Sequence, residues 1–276
     1  MTAITSPTAT IDPYAPGVPA SAWRFLNHLN PLSKVAAVLP AMLLLIFARD
    51  LFTPLCFVIL AYALIIVGAR ITPRTAALLF LAVPIGAAAI GFGFSLWVDA
   101  SRVADTAPFL QIGGWTLFTG ALQVGFATAL RLAAILALAL IGGLTTSGPD
   151  LVRASIQQLH VPYRIGYTAL AAYRFVPRFG YELSVIRAAH RVRGSHGGRG
   201  PFARIARGWG YIVPLLAGAI RHAERVALAM DARAFGAHPT RTERHLVPFR
   251  SRDWIFIALF IAASAAIFTL TFPWQP

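Results

Sequence analysis

Apolar residues gather in five runs, 35–48, 51–68, 75–98, 115–144 and 254–272, and one long polar interval separates the fourth from the fifth. A bilayer span takes roughly 20 residues, with about 17 to 25 tolerated. The third and fifth runs fit, and the fourth is long enough to tilt. The first two are shorter and carry Pro40 and Pro54. Proline is accepted inside a span where neighbouring helices or water satisfy the freed carbonyls, so both runs count as spans. The interval 145–253 is too polar to cross a membrane and too apolar for an ordinary soluble domain, and its pattern predicts helices along the membrane surface. The cluster Thr145, Thr146, Ser147, Gly148, Pro149 starts a short helix at Asp150 that reaches about Leu159. A second helix begins near Pro162, an acceptable first-turn proline, and runs to Arg193, with Gly194 as its left-handed cap and a bend at Pro177. After the glycine-rich turn 194–200, a third runs from about Pro201 to Arg233 or Phe235, bent at Pro214 and closed by Gly236. On it Val213, Leu216, Ala217, Ile220, Ala227, Met230 and Ala234 recur at three- and four-residue steps, opposite Arg221, His222, Glu224 and Arg225. The expected fold is all-α: a polytopic membrane protein of about five transmembrane helices with a cytoplasmic pair of long amphipathic helices.

Composition agrees with a bilayer as solvent. Of 276 residues, 57% are hydrophobic and 12% charged, and the mean hydropathy is +0.67; a soluble domain is usually about a quarter charged. The net charge of +14 points to acidic partners: anionic headgroups or a carboxylate-rich protein surface. Nucleic acid is set aside, because an arginine footprint flanked by spans has little freedom to track a duplex. Loop charge orients the chain. Arg24 and Lys34 precede the first span, Arg70 and Arg74 sit in the turn after the second, and the interval 145–253 holds 17 Arg against six acids, a net +11. These sides read as cytoplasmic. The opposite loops are nearly neutral, Arg49 cancelling Asp50, and Asp99, Arg102 and Asp105 summing to minus one. The expected protein is therefore multi-pass in the cell (inner or plasma) membrane with a cytoplasmic N-terminus and an external tail at 273–276. The expected domains are a disordered lead (1–24), four membrane helices (25–144), a cytoplasmic helical domain (145–253) and a last span with a short tail (254–276).

Catalytic chemistry finds little support. A membrane enzyme needs convergent acids, bases or metal ligands, and apart from Arg131 the spans are nearly empty of ionisable groups. A central Arg costs about 2.5 to 3.5 kcal/mol on insertion scales, so Arg131 is expected to have an internal hydroxyl or carbonyl partner. No histidine pair has metal-ligand spacing, His190 and His196 read as solvated, and no metal site is expected. Gly197-Gly198-Arg199-Gly200 lacks the Lys-Ser/Thr ending of a phosphate-binding loop. Cys56, the lone cysteine, excludes an internal disulfide and reads as a small core residue. Glu182, four residues from Arg178, reads as a surface ion pair.

Both long helices end in an arginine between small or apolar residues, Val192-Arg193-Gly194 and Ala232-Arg233-Ala234. A guanidinium in the last turn meets the negative end of the helix dipole and can fork onto carbonyls or a carboxylate beyond it. On spacing alone, ordinary helix caps explain both.

An ordered set of motifs adds to this. Asn30-Pro31-Leu32-Ser33-Lys34 precedes the first span. Arg131, Thr145-Thr146, Asp150-Leu151, the Pro162 stretch and Tyr173-Arg174-Phe175-Val176-Pro177 follow, then Ala188-Ala189-His190-Arg191-Val192-Arg193-Gly194, Ala229-Met230-Asp231-Ala232-Arg233-Ala234-Phe235-Gly236 and Arg241-Thr242. Over nearly everything after residue 25 the chain resembles the transmembrane T component of energy-coupling factor transporters. The resemblance implies a non-catalytic membrane scaffold that binds two ABC-type ATPase subunits and a substrate-binding membrane S component for uptake of a vitamin or transition metal. ATP and Mg would then be bound on the partner ATPases and no cofactor by this chain. It also implies that Arg193 and Arg233, at the tips of coupling helices, insert into the ATPases. Two positions depart from the family's Ala-Arg-Gly: Val192 stands for the first Ala and Ala234 for the second Gly. Since Ala lacks glycine's ease at positive φ, the third helix is expected to continue to Gly236 before turning. Without the resemblance, two alternatives stay open. A non-ATP-driven secondary transporter would usually show paired repeats. A basic interfacial membrane protein bound to anionic lipid would explain the net +11 but not two Arg-tipped helices.

Overall fold

The computed structural model describes residues 24–99, 103, 105–112, 115–194 and 200–272. The expectations for the lead up to residue 23, Arg102, the turn at 195–199 with His196, and the tail 273–276 lie outside them. The chain is mostly helical. It divides into two units, one joining the chain up to Thr146 with the stretch from Phe249 onward, the other Ser147–Pro248.

In the first unit, Asn30 caps α1 (Pro31–Leu45) by accepting from Leu32 N–H at 2.9 Å. Next come α2 (Phe52–Gly68), whose first turn is closed by Asp50 Oδ2 accepting from Thr53 N–H at 2.6 Å, and α3 (Pro73–Ala77), started by a Thr72–Thr75 capping box. A widened π-turn, Leu78–Ala82, then joins α3 to α4 (Val83–Ser95). Pro84 in the first turn of α4 has no N–H to donate, which favours a local rearrangement of the ladder. Tyr62 of α2 satisfies the Leu79 carbonyl of that turn at 2.8 Å.

A two-stranded antiparallel hairpin, β1 (Pro108–Ile112) and β2 (Trp115–Phe118), corrects the all-α expectation. The fourth apolar run thus opens as a strand, rich in the aromatic and β-branched residues that favour one. Its helix, α5, is Thr119–Thr145. The return helix, α9, is Ser251–Leu270.

The core is built from small side chains, Ala37, Ala41, Ala61, Ala134 and Ala137, with Leu45, Phe57, Ile65, Leu138 and Phe260 among them. Small residues let helices approach closely where lipid removes any hydrophobic drive between them. At one crossing only glycine fits: a Cβ on Gly125 of α5 would lie 2.5 Å from the Gly91 carbonyl of α4. Large apolar side chains point outward instead, Phe47, Leu81, Ile85, Leu136, Leu259 and Leu270 among them. Among the described residues, Pro73–Ser95, Thr119–Thr145 and Ser251–Leu270 are long and apolar enough to cross a membrane; α1 and α2 are apolar but shorter, with 15 and 17 residues. Arg131 lies on α5, partly buried, with the charges of Arg49 and Asp50 acting on it. Its Nε is buried without a hydrogen-bond partner among the described residues, so the expected internal acceptor is missing at that atom.

The second unit holds α6 (Gly148–Gln158), α7 (Tyr163–Val192) and α8 (Pro201–Asp231). Ser147 Oγ caps α6 by accepting from Asp150 N–H at 3.2 Å, and Arg153 pairs with Asp150 at 2.9 Å. Gly166 sits where α6 meets α7, because a Cβ there would lie 2.4 Å from Ile156 Cδ1.

Candidate functional site

Helices α7 and α8 run antiparallel. Phe175 stacks on His222 at 4.3 Å, a Cβ on Gly218 would meet Glu182 Oε2 at 2.8 Å, and Arg187 lies over the Tyr211 ring at 5.9 Å. Moving forward along α7 therefore means moving back along α8. Glu182 also takes the expected i,i+4 pair with Arg178, at 3.5 Å. Proline stands inside each helix, Pro177 in α7 and Pro214 in α8. An antiparallel pair puts the two helix ends, and with them Arg193 and Arg233, at opposite poles. Counting residues along α7 at 1.5 Å each, the separation is roughly 40 Å.

The two ends share a left-handed residue directly after the arginine, whose N–H bonds back to the carbonyl three residues earlier. At the first, Arg193 N–H donates to Ala189 O and Gly194 N–H to Arg191 O, each at 3.1 Å, and Gly194 takes φ +70°. At the second, Ala234 N–H donates to Asp231 O at 2.9 Å and Phe235 N–H to Met230 O at 3.0 Å, the paired bonds of a Schellman cap. Ala234 itself adopts φ +53°. The expectation that α8 continues to Gly236 is thus corrected: the helix ends at Asp231 and the left-handed residue directly follows Arg233. Gly236, at φ +88°, belongs to the same turn rather than closing the helix. Ala232 and Val192 precede their arginines and are exposed, Val192 at 89%. Neither guanidinium has a hydrogen-bond or ion-pair partner among the described residues, and both arginines are exposed.

Behind Arg233 the turn is held by side chains that sequence reasoning missed. Arg164 donates to the Gly236 carbonyl, Tyr163 OH to His238 O at 2.5 Å, and Tyr167 OH to Glu243 Oε2 at 2.6 Å. Burial, then the Glu243 hydrogen bond and charge, push the Tyr167 phenol above its ordinary pKa, so it stays protonated and donates. The Arg241 guanidinium lies 4.5 Å from the Tyr167 ring centroid and 5.7 Å from that of Phe235. Further on, Val247 N–H donates to Gln157 Oε1 at 2.8 Å and Gln158 Nε2 to Val247 O at 2.8 Å, fastening the irregular segment around Val247 to α6. Only the motif Arg241-Thr242 hinted at this lock. Between the first half of α7, the end of α8 and the segment after it, a cleft of about 860 Å³ is lined by Arg174, Arg178, Arg233, Arg241 and Arg244. Such a surface accepts carboxylates. Along α8, Val213, Leu216 and Ile220 of the expected periodic set are exposed, and Trp209 extends them into an apolar stripe.

Residues 22–244 match the CbiQ family, described as cobalt transport protein. The chain is 27% identical over 256 residues to the energy-coupling factor transporter transmembrane protein EcfT of Staphylococcus aureus, covering 90% of this chain and 93% of that protein. EcfT of Acidaminococcus fermentans is 26% identical over 86% of this chain and 90% of its own length. A putative ABC transporter ATP-binding protein, BL0043 of Bifidobacterium longum, is 29% identical over 95% of this chain, the match spanning 34% of that longer protein.

Proposed function

Because the chain belongs to the CbiQ cobalt transport family and is, like its EcfT relatives, the transmembrane component of an energy-coupling factor transporter, we propose that Arg193 and Arg233 are the two points at which it grips its ATPase subunits. The observation that carries this reading is the repeated helix end: an exposed arginine followed by a left-handed residue, once at each pole of an antiparallel pair. Two grips roughly 40 Å apart suit two separate subunits better than one. A guanidinium beyond a helix C-terminus is suited to carboxylates and carbonyls in a partner's groove. BL0043 supports the partnership, since a protein named for ATP binding carries a region similar to almost this whole chain.

In this reading ATP and Mg are bound by the partners, and this chain is a non-catalytic scaffold without a cofactor. Nucleotide-driven movement of the ATPases displaces the tips of α7 and α8. The exposed stripe Trp209, Val213, Leu216 and Ile220 then acts as a platform for a substrate-binding membrane subunit carrying a vitamin or transition metal. The chain crosses the bilayer five times from a cytoplasmic N-terminus, α1 and α2 spanning with local thinning of the bilayer. Arg193→Ala combined with Arg233→Ala is expected to lower ATPase co-purification at least tenfold and to abolish uptake, with membrane insertion unchanged. Co-purification and uptake at wild-type levels would refute the assignment.

A further inference from the structure

The motif Asn30-Pro31-Leu32-Ser33-Lys34 has so far served only to start α1, yet its polar side chains are among the most buried in the chain. Lys34 is 1% exposed, Ser33 0% and Asn30 3%. An ammonium has three protons to place, and Lys34 Nζ has three acceptors: Thr145 O at 2.9 Å, Thr145 Oγ1 at 3.0 Å and Thr146 Oγ1 at 3.0 Å. These acceptors close the last turn of α5, where the helix dipole is negative. They also mark the point where the chain leaves the first unit, since Ser147 opens the second.

The chain's return is fastened to the same turn of α1. Asp253 of α9, 1% exposed, accepts from Asn30 N–H through Oδ1 at 2.7 Å and from Arg250 N–H through Oδ2 at 2.8 Å. Ser33 Oγ lies 3.2 Å from the same Oδ1, and its single proton is better placed on Asn30 O at 2.7 Å. Arg252 adds a bond to the His28 carbonyl at 2.5 Å. Within five residues, therefore, α1 holds both covalent connections between the units: the outgoing one through Lys34 and the returning one through Asn30 and Asp253.

We propose that residues 30–34 form a latch that transmits displacement of the second unit into the membrane helices, with Lys34 and Asp253 as its positioning residues. A covalent connection moves a helix only if it is stiff where it joins. Without the latch, the unwound residues around Thr146 and Arg250 would absorb the displacement. With it, a pull on either connection is delivered to α1, α5 and α9 together. The proposal rests on this chain being the membrane component of an ATP-driven transporter, not on the roles of Arg193 and Arg233.

The test uses the complex of this chain with its ATPases, probed by hydrogen exchange with and without ATP plus vanadate. Thr146→Val removes one acceptor while keeping shape, and Thr146→Ser keeps the hydroxyl. Asp253→Asn leaves one oxygen where two N–H groups need one each. In the wild type, nucleotide should change exchange in both units. In Thr146→Val the change in α1 and the first turn of α9 should shrink at least threefold, and in Asp253→Asn about tenfold, while the change in α7 and α8 persists. Thr146→Ser should behave as wild type. A latch with a purely structural role would instead raise nucleotide-free exchange in α1 and α9. That result, or an unchanged nucleotide response in Thr146→Val and Asp253→Asn, overturns the proposal. Loss of the arginine grip would differ from both, because it abolishes ATPase co-purification.

Discussion

The ends of α7 and α8 place a left-handed residue after the arginine by different means. At Arg193 the left-handed position belongs to Gly194, which adopts φ +70° without the steric cost that a Cβ brings. At Arg233 the same position holds Ala234 at φ +53°. There the following residues are fixed from outside: Phe235 packs edge-on against Tyr163 at 5.7 Å, and Arg164 holds the Gly236 carbonyl. Local preference makes the first turn, and contacts distant in sequence impose the second. The difference shows that the arginine's position at the cap is the shared feature, and that glycine is one way of obtaining it.

Charge reversal tests most severely whether the two ends act as independent grips. Arg193→Glu and Arg233→Glu should each remove the charge-assisted bonds of one tip, about 1.5 to 3 kcal/mol, or roughly 10- to 100-fold in affinity for one ATPase. Titration of purified ATPases onto the solubilised chain should then show one tight site where the wild type shows two. If either reversal removes both sites, the ends work as one surface and the comparison fails.

Tyr167→Phe probes the support that only the second end has. The lost hydroxyl donates to a carboxylate at 2.6 Å, a bond worth about 1.5 kcal/mol or somewhat more. Exchange of backbone amides at 233–245 should speed up about tenfold, while those at 189–194 stay unchanged. An equal effect at both ends would mean that the cap of α8 does not depend on its lock. Since burial, and after it Glu243, raise the phenol's pKa above the ordinary value of 10.0, the bond is fully present below that pH and is lost only as pH rises through the folded value.

Much of this architecture is readable from local signals. Ser147 before Asp150, Pro162 before α7 and Gly194 after it are chemical stops and starts, and the helices begin and end within a residue or two of them. The strand Trp115–Phe118 is not readable, because it continues the apolar composition of α5 without a break. The end of α8 misleads for the opposite reason: the rule that alanine avoids positive φ is sound locally, and the Tyr163, Arg164 and Tyr167 contacts override it from about 70 residues away in sequence. The resemblance singles out Arg193 and Arg233. That they lie at opposite poles of one antiparallel pair needs the pairing of α7 with α8, and the burial of Lys34 against Thr145 needs a contact 111 residues long.

The finest test exchanges the two left-handed residues. Gly194→Ala puts a Cβ where φ is +70°, in space open to within 4 Å among the described residues, so the cost is backbone strain less the chain freedom that alanine spares on folding, a net of about 1 kcal/mol. Ala234→Gly removes that strain from the second end. Strain and chain freedom enter both substitutions with opposite sign, so the smaller effect expected here comes from the Tyr163, Arg164 and Tyr167 contacts, which hold residue 234 left-handed even when the next amide exchanges. Both substitutions are read on the amides that make the caps. Gly194→Ala should speed exchange of the residue 194 amide about fivefold, and Ala234→Gly should slow that of Phe235 by about twofold. The inequality is the informative part: if Ala234→Gly stabilised its turn as strongly as Gly194→Ala weakens the other, the lock behind Arg233 would be contributing nothing to hold alanine in place.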